Sequence, residues 1–254
     1  MGNVHSLIRD LQRRKARERR GLVVAEGRRL VADALAGGAA VRAVIVAADV
    51  SDGSAAGVLA DAVRRGIATE VTSRKEFEAL ADTETPSGVL AVVEWEPLTL
   101  DALRPGTGPV ALLVLDAIQD PGNVGTMIRT AFALGAAATI ALDGTADPRS
   151  QKVLRSAMGA IFRHPVAEAH AAECVEFLAR HRIELWAATM DGAAVGAAVP
   201  ERVALAVGNE GGGIRPELLE RAARRVAVPM AEGAESLNAA VAAGILLHRI
   251  RDAH

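Results

Sequence analysis

Three polar clusters interrupt apolar stretches of this sequence, and each holds side chains that could do chemistry. They are Asn123 with Arg129, Asn209-Glu210 after Gly208, and Ser236 with Asn238. An arginine between apolar helix positions is costly unless it pairs with an acid or holds an anion. Polar groups at a helix start meet free backbone N–H groups and the positive end of the helix dipole, which favour a polar or anionic partner. Residue types alone therefore predict a small-molecule pocket with one arginine, one glutamate and side-chain amides.

Each cluster also has a plain structural explanation. Arg129 could be the buried partner of Glu210, and Ser236 could be an ordinary N-cap. The glycines at 211–213 could form a tight turn and have no other role. The glycine loop resembles a dinucleotide fingerprint loosely, because the G-x-G-x-x-G spacing is not met from Gly208 and no acidic ribose anchor follows. At this level the ligand stays open.

Alternating strands and helices must position these clusters. Short apolar runs at 110–115, 203–207 and 226–228 predict strands that end shortly before them. A helix signal follows each loop, and the last one opens a long alanine-rich helix. In an open α/β sheet, ligands sit beyond the carboxyl ends of the strands, against loops of this kind. We therefore expect a mostly parallel sheet, covered on both faces, with the pocket at that edge.

The first third of the chain predicts a separate α/β domain. Predicted strands at 22–24, 41–46, 68–71 and 89–93 alternate with predicted helices at 26–35, 55–65 and 73–80. Ser73 and Glu76 fit a capping box at the start of the last of these helices. Residues 96–109 contain three prolines and two glycines, which is typical of a linker. The expected organisation is an α/β domain at 1–97, a linker at 98–109 and a second α/β domain at 110–254.

Bulk composition narrows the class of protein. Half of the 254 residues are hydrophobic, so a sizeable core can form, and aromatics are only 2%. No apolar run reaches a membrane span, and the charged stretch near the N-terminus is unlike a secretory signal. Cys174 is the single cysteine and the six histidines lack metal-ligand spacing, which predicts neither a disulfide nor a metal site. We expect a cytoplasmic protein.

A basic block near the N-terminus contrasts with a net charge of only -2. Nine basic residues lie between Arg9 and Arg29, against three acidic ones. Such a block is a candidate contact for a nucleic-acid backbone, and a solvated helix face is the alternative. The candidate phosphate-binding residues are Arg13, Arg14, Arg17, Arg20 and Arg28.

Three motifs resemble those of the SpoU, or TrmH-type, RNA ribose 2′-O-methyltransferases of the SPOUT superfamily. In the family's order they are DPGNVGTMIRTA at 120–131, VGNEGGG at 207–213, and VPM at 228–230 with SLNAAVAA at 236–243. Their spacing is family-like, and the resemblance covers roughly residues 110–251. The first domain is more loosely similar to the family's N-terminal substrate-binding domain, through Glu26-Gly27-Arg28 and the loop TPSGV at 85–89.

The resemblance implies a carboxy-terminal domain tied in a deep trefoil knot, with the last helix threaded through a loop. It also implies that S-adenosylmethionine binds bent within the knot and that the protein is a homodimer with its active site at the subunit interface. Gly208, Val228 and Leu237 match the family's cofactor contacts, with Met230 and Asn238 as adjacent lining. Thr189, the last residue of the predicted strand 184–189, completes the expected cofactor set.

The implied reaction asks for few catalytic groups. The family's activating arginine matches Arg129, and a guanidinium stays protonated in proteins. We therefore interpret Arg129 as a clamp on the 3′-phosphate and the 2′-oxygen rather than as a literal base. Asn123 would position the ribose or the Arg129 side chain, and Glu210 would orient Arg129. Ser236 and Asn238 would organise the start of the last helix beside the cofactor and the ribose.

The substrate that the resemblance implies is RNA. A full N-terminal α/β domain is typical of relatives that modify rRNA, which favours large-subunit rRNA over tRNA. A catalytically silent RNA-binding protein is one alternative, and the intact catalytic set of residues speaks against it. A nucleotide-dependent Rossmann enzyme is a third reading.

Overall fold

The computed structural model describes residues 4–50, 53–233 and 235–253. Contacts between residues divide the chain into two compact units. Unit 1 extends to Glu96 and also includes residues 149–163, whereas unit 2 comprises residues 97–148 and the chain from His164 onward. The segment 149–163 thus belongs structurally to the amino-terminal unit, although it lies between two strands of the second sheet in sequence.

Unit 1 carries a four-stranded sheet with helices around it. Its elements are α1 (Val4–Leu11), α2 (Arg14–Arg20), β1 (Leu22–Glu26), α3 (Arg28–Ala36), β2 (Ala40–Ala47), α4 (Gly53–Arg64), β3 (Ala68–Thr72), α5 (Arg74–Glu78), β4 (Val89–Glu94) and α7 (Gln151–Ala157). The strand order is β1-β4-β2-β3, and β4 runs antiparallel to both of its neighbours. Ile8 and Leu11 of α1 are fully buried in the core of this unit. The Ser73–Glu76 capping box is confirmed, since both of its reciprocal hydrogen bonds are present.

Unit 2 is a six-stranded sheet flanked by helices. Its elements are β5 (Val110–Asp116), α6 (Pro121–Ala133), β6 (Ala138–Leu142), β7 (Val166–Ala169), α8 (Ala171–Arg180), β8 (Glu184–Ala194), β9 (Arg202–Gly208), α9 (Pro216–Arg221), β10 (Arg224–Ala227) and α10 (Ala239–Asp252). The strand order is β10-β8-β9-β5-β6-β7, and every pairing is parallel. The expected parallel sheet is therefore confirmed.

The central strand β9 brings three chain segments to one edge of this sheet. Gly208 at its carboxyl end lies in register with Asp116 of β5. On its other side, Ala188 of β8 lies opposite Val207, so Thr189 is the next residue beside Gly208. Because parallel strands end at the same edge, the loops after β5, β8 and β9 meet there.

The structure changes three predicted element boundaries. Helical periodicity predicts a helix at 126–134. In the structure, α6 begins earlier, at Pro121, because Asp120 caps it and proline suits the first helical position. Strand β8 continues to Ala194 instead of ending at 189. The last helix begins at Ala239, and its N-cap is Asn238. The alternative reading of Ser236 as that N-cap was wrong.

None of the helices in the described part of the chain combines the length and the apolar character that crossing a lipid bilayer requires.

Candidate active site

A chain of side-chain amides links the three sequence motifs. The Asn238 amide nitrogen donates to the Asn123 carbonyl oxygen at 3.0 Å. The Asn123 amide nitrogen donates in turn to a carboxylate oxygen of Glu210. Asn123 therefore binds both Glu210 and Asn238, although Asn238 is 115 positions away in sequence. This arrangement fixes the orientation of the Asn123 amide and leaves the exposed Glu210 carboxylate beside it.

Two caps and one close helix contact hold this chain in place. Asp120 accepts a hydrogen bond from the Asn123 backbone N–H at 2.9 Å. The Asn238 side-chain oxygen accepts from the backbone N–H groups of Ala240 and Val241, at 2.9 and 3.3 Å. At Gly244 of α10, an added Cβ would lie 3.2 Å from the Thr130 methyl group of α6. The small residues of α10 therefore allow the two helices to pack closely.

Arg129 is exposed on α6 rather than buried between its apolar neighbours. Thr126 and Phe132, three residues before and after it, are exposed as well, so the three side chains share one outward face of the helix. In the structure, the Glu210 carboxylate binds the Asn123 amide. Orientation of Arg129 by Glu210 stays a prediction.

The loop after β9 depends on two of its glycines for different reasons. A Cβ at Gly208 would lie 2.3 Å from both the carbonyl carbon and the oxygen of Gly213, and 2.4 Å from the Ile214 nitrogen. Gly213 has a φ of 65°, in the left-handed region that glycine adopts without strain. Asn209 closes the loop, because its backbone pairs with Gly213 in both directions and its side-chain oxygen accepts from Gly211 and Gly212. The backbone beside Gly208 is thereby fixed.

The expected cofactor residues lie in β8, at the end of β9 and in the chain between β10 and α10. Gly208 and Val228 are half-buried. Thr189 lies in the segment of β8 between Ala187 and Ala193, where the pairing of β8 with β10 is interrupted by a register shift. Met230 and Leu237 expose apolar surface in the loop before α10, at 37% and 40% of their area. Exposed main chain next to apolar side chains suits an adenosine group, which offers ring faces and hydrogen-bonding edges. The residues present therefore fit S-adenosylmethionine.

Ser236 lies exposed in the same loop, two residues before the cap of α10. Ser236 therefore lies near the amino-terminal end of α10, as expected, but it does not cap this helix.

Sequence reasoning missed an ion-pair network behind the β9 loop. Arg215, directly after that loop, donates to both carboxylate oxygens of Asp116, from its backbone N–H at 2.7 Å and from its side-chain Nε at 2.6 Å. It also donates to the Asp143 carboxylate at 3.1 and 3.2 Å and to the Asp143 carbonyl oxygen at 2.8 Å. Partial burial tends to raise the pKa of Asp143, but the hydrogen bonds and charge of Arg215 hold it below its usual value. Two features of the sequence could have indicated this network: an arginine follows the glycine loop, and an aspartate ends a buried strand.

In unit 1, three arginines converge on one carboxylate. Arg13, Arg19 and Arg20 all bind Asp10, and the hydrogen bonds from Arg13 and then Arg20 lower the pKa of Asp10. They line an open cleft of about 700 Å³ together with Ser6, Leu7 and Arg9. Because one carboxylate cannot neutralise this many arginines, the cleft is cationic.

The other predicted RNA-binding arginines differ in exposure. Arg17 is 7% exposed, and its guanidinium donates to the carbonyl oxygens of Leu11 and Gln12 at 3.0 and 2.8 Å. This geometry points to a structural role for Arg17 in joining α1 to α2. Arg14 is exposed and pairs with Glu18, whereas Arg28 is half-buried at the start of α3.

The described residues contain no group of three or more His, Cys, Asp or Glu side chains placed to hold a metal ion. Cys174 is fully buried, and burial raises the pKa of its thiol to about 12. A thiol with such a pKa is a poor nucleophile and a poor metal ligand.

His164 makes the stability of unit 2 dependent on pH. The ring is 4% exposed and bonds the Thr139 hydroxyl, and burial lowers its pKa from 6.5 to about 4. Between these values the unfolded chain binds a proton that the folded chain does not, so stability falls as pH drops from 6.5 towards 4. The free energy of unfolding of the wild type should therefore be lower at pH 4.5 than at pH 7.5, and in His164→Gln we expect this difference to be smaller by about 2–3 kcal/mol. Urea unfolding at the two pH values measures it.

The matched control for this prediction is His248→Gln, at an exposed position of α10. An unchanged difference in stability between the two pH values in His164→Gln would contradict the assignment to His164.

Models of known protein families match both parts of the chain. Residues 111–248 match the model of the SpoU rRNA Methylase family, and residues 6–91 match that of the MRM3-like substrate binding domain. The chain is 35% identical to 23S rRNA (guanosine(2553)-2′-O)-methyltransferase RlmP of Bacillus subtilis, over 95% of this chain and 93% of that protein.

Solved structures share the fold over nearly the whole chain. An S-adenosylmethionine-bound rRNA methyltransferase from Sinorhizobium meliloti superimposes with a TM-score of 0.86 and 29% identity, covering 99% of this chain and 95% of that one. The SpoU methyltransferase AviRb from Streptomyces viridochromogenes, in complex with the same cofactor, also gives 0.86, with 26% identity and coverage of 99% and 98%. The expected fold is thus confirmed, and the threading of α10 through a knot stays a prediction.

Proposed function

Since the chain belongs to the SpoU rRNA methylase family, we propose that it methylates a specific ribose 2′-hydroxyl of 23S rRNA in the cytoplasm. It is an RNA ribose 2′-O-methyltransferase that uses S-adenosylmethionine. The observation that carries the catalytic assignment is the amide chain from Asn238 through Asn123 to Glu210, which joins the three family motifs at one edge of the sheet. A silent relative would have no need to retain this set.

The presence of the whole amino-terminal unit supports rRNA over tRNA as the substrate. Residues 6–91 match a substrate-binding domain, and the similarity to the 23S rRNA enzyme RlmP spans 95% of the chain. Both parts of the chain are therefore accounted for by an enzyme of this class.

Mapping of 2′-O-methylation tests the proposal directly. The purified protein is incubated with unmodified 23S rRNA, 16S rRNA or tRNA and with labelled S-adenosylmethionine. We expect label in 23S rRNA at one nucleotide that resists alkaline cleavage. Label confined to tRNA would overturn the choice of substrate, and no label in any RNA would favour the silent binding protein.

The chain's own residues have two tasks in this reaction. S-adenosylmethionine supplies a methyl group that is already activated by the sulfonium charge. The protein must align the 2′-oxygen with that methyl group and stabilise the negative charge that develops on the oxygen. We assign the second task to Arg129, whose forked guanidinium can hold the 3′-phosphate and the 2′-oxygen together, while phosphate or water accepts the proton.

The polar residues around Asn123 would organise the ribose. Asn123 has its amide orientation fixed from both sides, by Asn238 and by Glu210, so it presents one defined face to a substrate. Glu210 supplies a negative charge that would orient Arg129. Asn238 and the nearby Ser236 would shape the loop that borders both the cofactor and the ribose.

The cationic cleft of unit 1 is our proposed contact for the RNA backbone. Arg13 and Arg20 line the cleft, Arg14 begins α2, the helix that carries Arg20, and Arg28 begins α3. Arg17 is left out because its guanidinium already binds two carbonyl oxygens inside the fold. Aromatic side chains are scarce, so phosphate contacts should outweigh base stacking.

Neutralising Arg13, Arg14 and Arg20 to glutamine should weaken RNA binding. Affinity for RNA falls with salt, and each lost phosphate contact makes the slope of log affinity against log salt less steep by roughly 0.7–0.9. For three contacts we expect the slope to become less steep by about 2 to 3 in total. Filter binding of 23S rRNA fragments at several salt concentrations measures this slope. The control, Arg64→Gln at the end of α4 with Arg65→Gln directly after it, should leave the slope nearly unchanged. An unchanged slope in the triple variant would remove the cleft from the RNA interface.

We also propose that the enzyme is a homodimer through α6 and α10. Phe132, Val241 and Ile245 on these helices expose 37%, 49% and 37% of their area. Arg129 lies on the same outward side of α6 as Phe132, so a second copy on this face would put Arg129 at the interface. Light scattering should give twice the chain mass, and V241E/I245E should give the monomer mass. A wild-type monomer would refute the proposal.

A further inference from the structure

Arg215 joins the ends of three strands of unit 2. Its side chain is 24% exposed, and it binds Asp116 at the end of β5 and Asp143 just after β6. Asp116 is 1% exposed, whereas the Asp143 carboxylate is 48% exposed. Arg215 itself ends the loop that begins at Gly208, the carboxyl end of β9. The network therefore ties the end of this loop to two neighbouring strands.

A second bond ties the start of the same loop to β5. The Asn209 amide nitrogen donates to the Ala117 carbonyl oxygen at 2.9 Å. Ala117 has a φ of 55°, a left-handed conformation that costs energy for a residue with a side chain. Asn209 and Arg215 thus hold both ends of the loop against consecutive residues of one strand end, Asp116 and Ala117.

We propose that Arg215 is a positioning residue for the methyl donor. It acts through the loop backbone, because its two carboxylate partners fix where the chain from Gly208 to Gly213 lies. Without the guanidinium, the buried Asp116 would lose its cationic partner, and the loop would have to move to let water or another donor reach it. This inference rests on the proposed binding of S-adenosylmethionine beside Gly208.

The predicted consequence is a separation of kinetic constants. A displaced loop weakens the fit of the methyl donor, whereas partial unfolding only lowers the concentration of active enzyme. In Arg215→Gln we expect the KM for S-adenosylmethionine to rise by about tenfold or more, with the KM for RNA unchanged and kcat within about threefold. Arg215→Lys keeps a charge near Asp116 without the forked geometry and should give an intermediate KM.

The matched control is Arg202→Gln at the opposite end of β9. Arg202 also binds backbone carbonyls, those of His181, Gly106 and Gly108, so its loss should lower the melting temperature as well. Its KM for S-adenosylmethionine should stay at the wild-type value. If Arg215→Gln behaves like this control, the role of Arg215 is structural and the inference is overturned.

Two further variants keep the test decisive. Should Arg215→Gln fail to fold, Asp143→Ala removes the exposed carboxylate of the network. A raised KM for S-adenosylmethionine then supports the inference, and an unchanged one overturns it. Gly208→Ala, measured by calorimetric titration with S-adenosylmethionine, tests the placement of the donor itself. Loss of binding in Gly208→Ala with none in Arg215→Gln sinks this inference alone, whereas intact binding in Gly208→Ala sinks the placement.

Discussion

Replacing Arg129 by alanine is expected to abolish methyl transfer while S-adenosylmethionine still binds. The side chain projects from the outward face of α6, and the proposed cofactor contacts come from other segments, so truncation should leave those contacts intact. What is lost is the stabilisation of charge on the 2′-oxygen, an effect that typically changes kcat by about 100-fold to 1,000-fold. Single-turnover methylation of 23S rRNA measures the rate, and calorimetric titration measures cofactor affinity.

Two control variants sharpen this prediction. Arg129→Lys retains the positive charge but not the two parallel N–H donors, so it should recover only part of the rate. Arg221→Ala removes an exposed arginine from α9 in the same unit and should have wild-type activity. Turnover close to wild type in Arg129→Ala would show that another group stabilises the 2′-oxygen. Loss of cofactor binding in that variant would instead place Arg129 in the cofactor site.

The sequence predicts the central strands of unit 2 well because these strands are buried on both faces. Runs such as 110–115 and 203–207 are continuously apolar, and a parallel strand covered by helices requires that pattern. The meeting of Asn123, Glu210 and Asn238 could be expected only from the family motifs. Periodicity places each residue at the end of an element, but the order of strands in the sheet decides which ends are neighbours.

Features set by tertiary contacts were not predictable in this way. Arg17 lies in a basic run and resembles its exposed neighbours, yet it is buried because two carbonyl oxygens between α1 and α2 need donors. Ser236 and Asn238 are both good N-cap residues, and Asn238 is the one that caps α10 and also binds Asn123, 115 residues away. Arg215 and Asp116 are 99 residues apart, so no local pattern could pair them.

Replacing Gly208 by alanine is expected to abolish S-adenosylmethionine binding. One methyl group would have to occupy space 2.3 Å from the Gly213 backbone, and backbone atoms cannot turn aside as a flexible side chain can. The loop between the two glycines must then open. Because the β5 side of the loop is held by Asn209 and Arg215, the displacement would fall on the chain around Gly208, where the methyl donor is proposed to bind. We expect the dissociation constant to rise by about 100-fold or more, as a displacement near 1 Å can do.

The same loop supplies the control for this prediction. An added Cβ at Gly212 would meet no atom within 4 Å, and its φ is not in the left-handed region, so Gly212→Ala should bind the cofactor with nearly wild-type affinity. The two variants differ by the position of a single methyl group four residues apart. A steric cause requires that only Gly208→Ala loses binding while both variants keep the wild-type circular dichroism spectrum. Equal loss in both would mean that flexibility of the glycine run, rather than the contact between Gly208 and Gly213, governs the site.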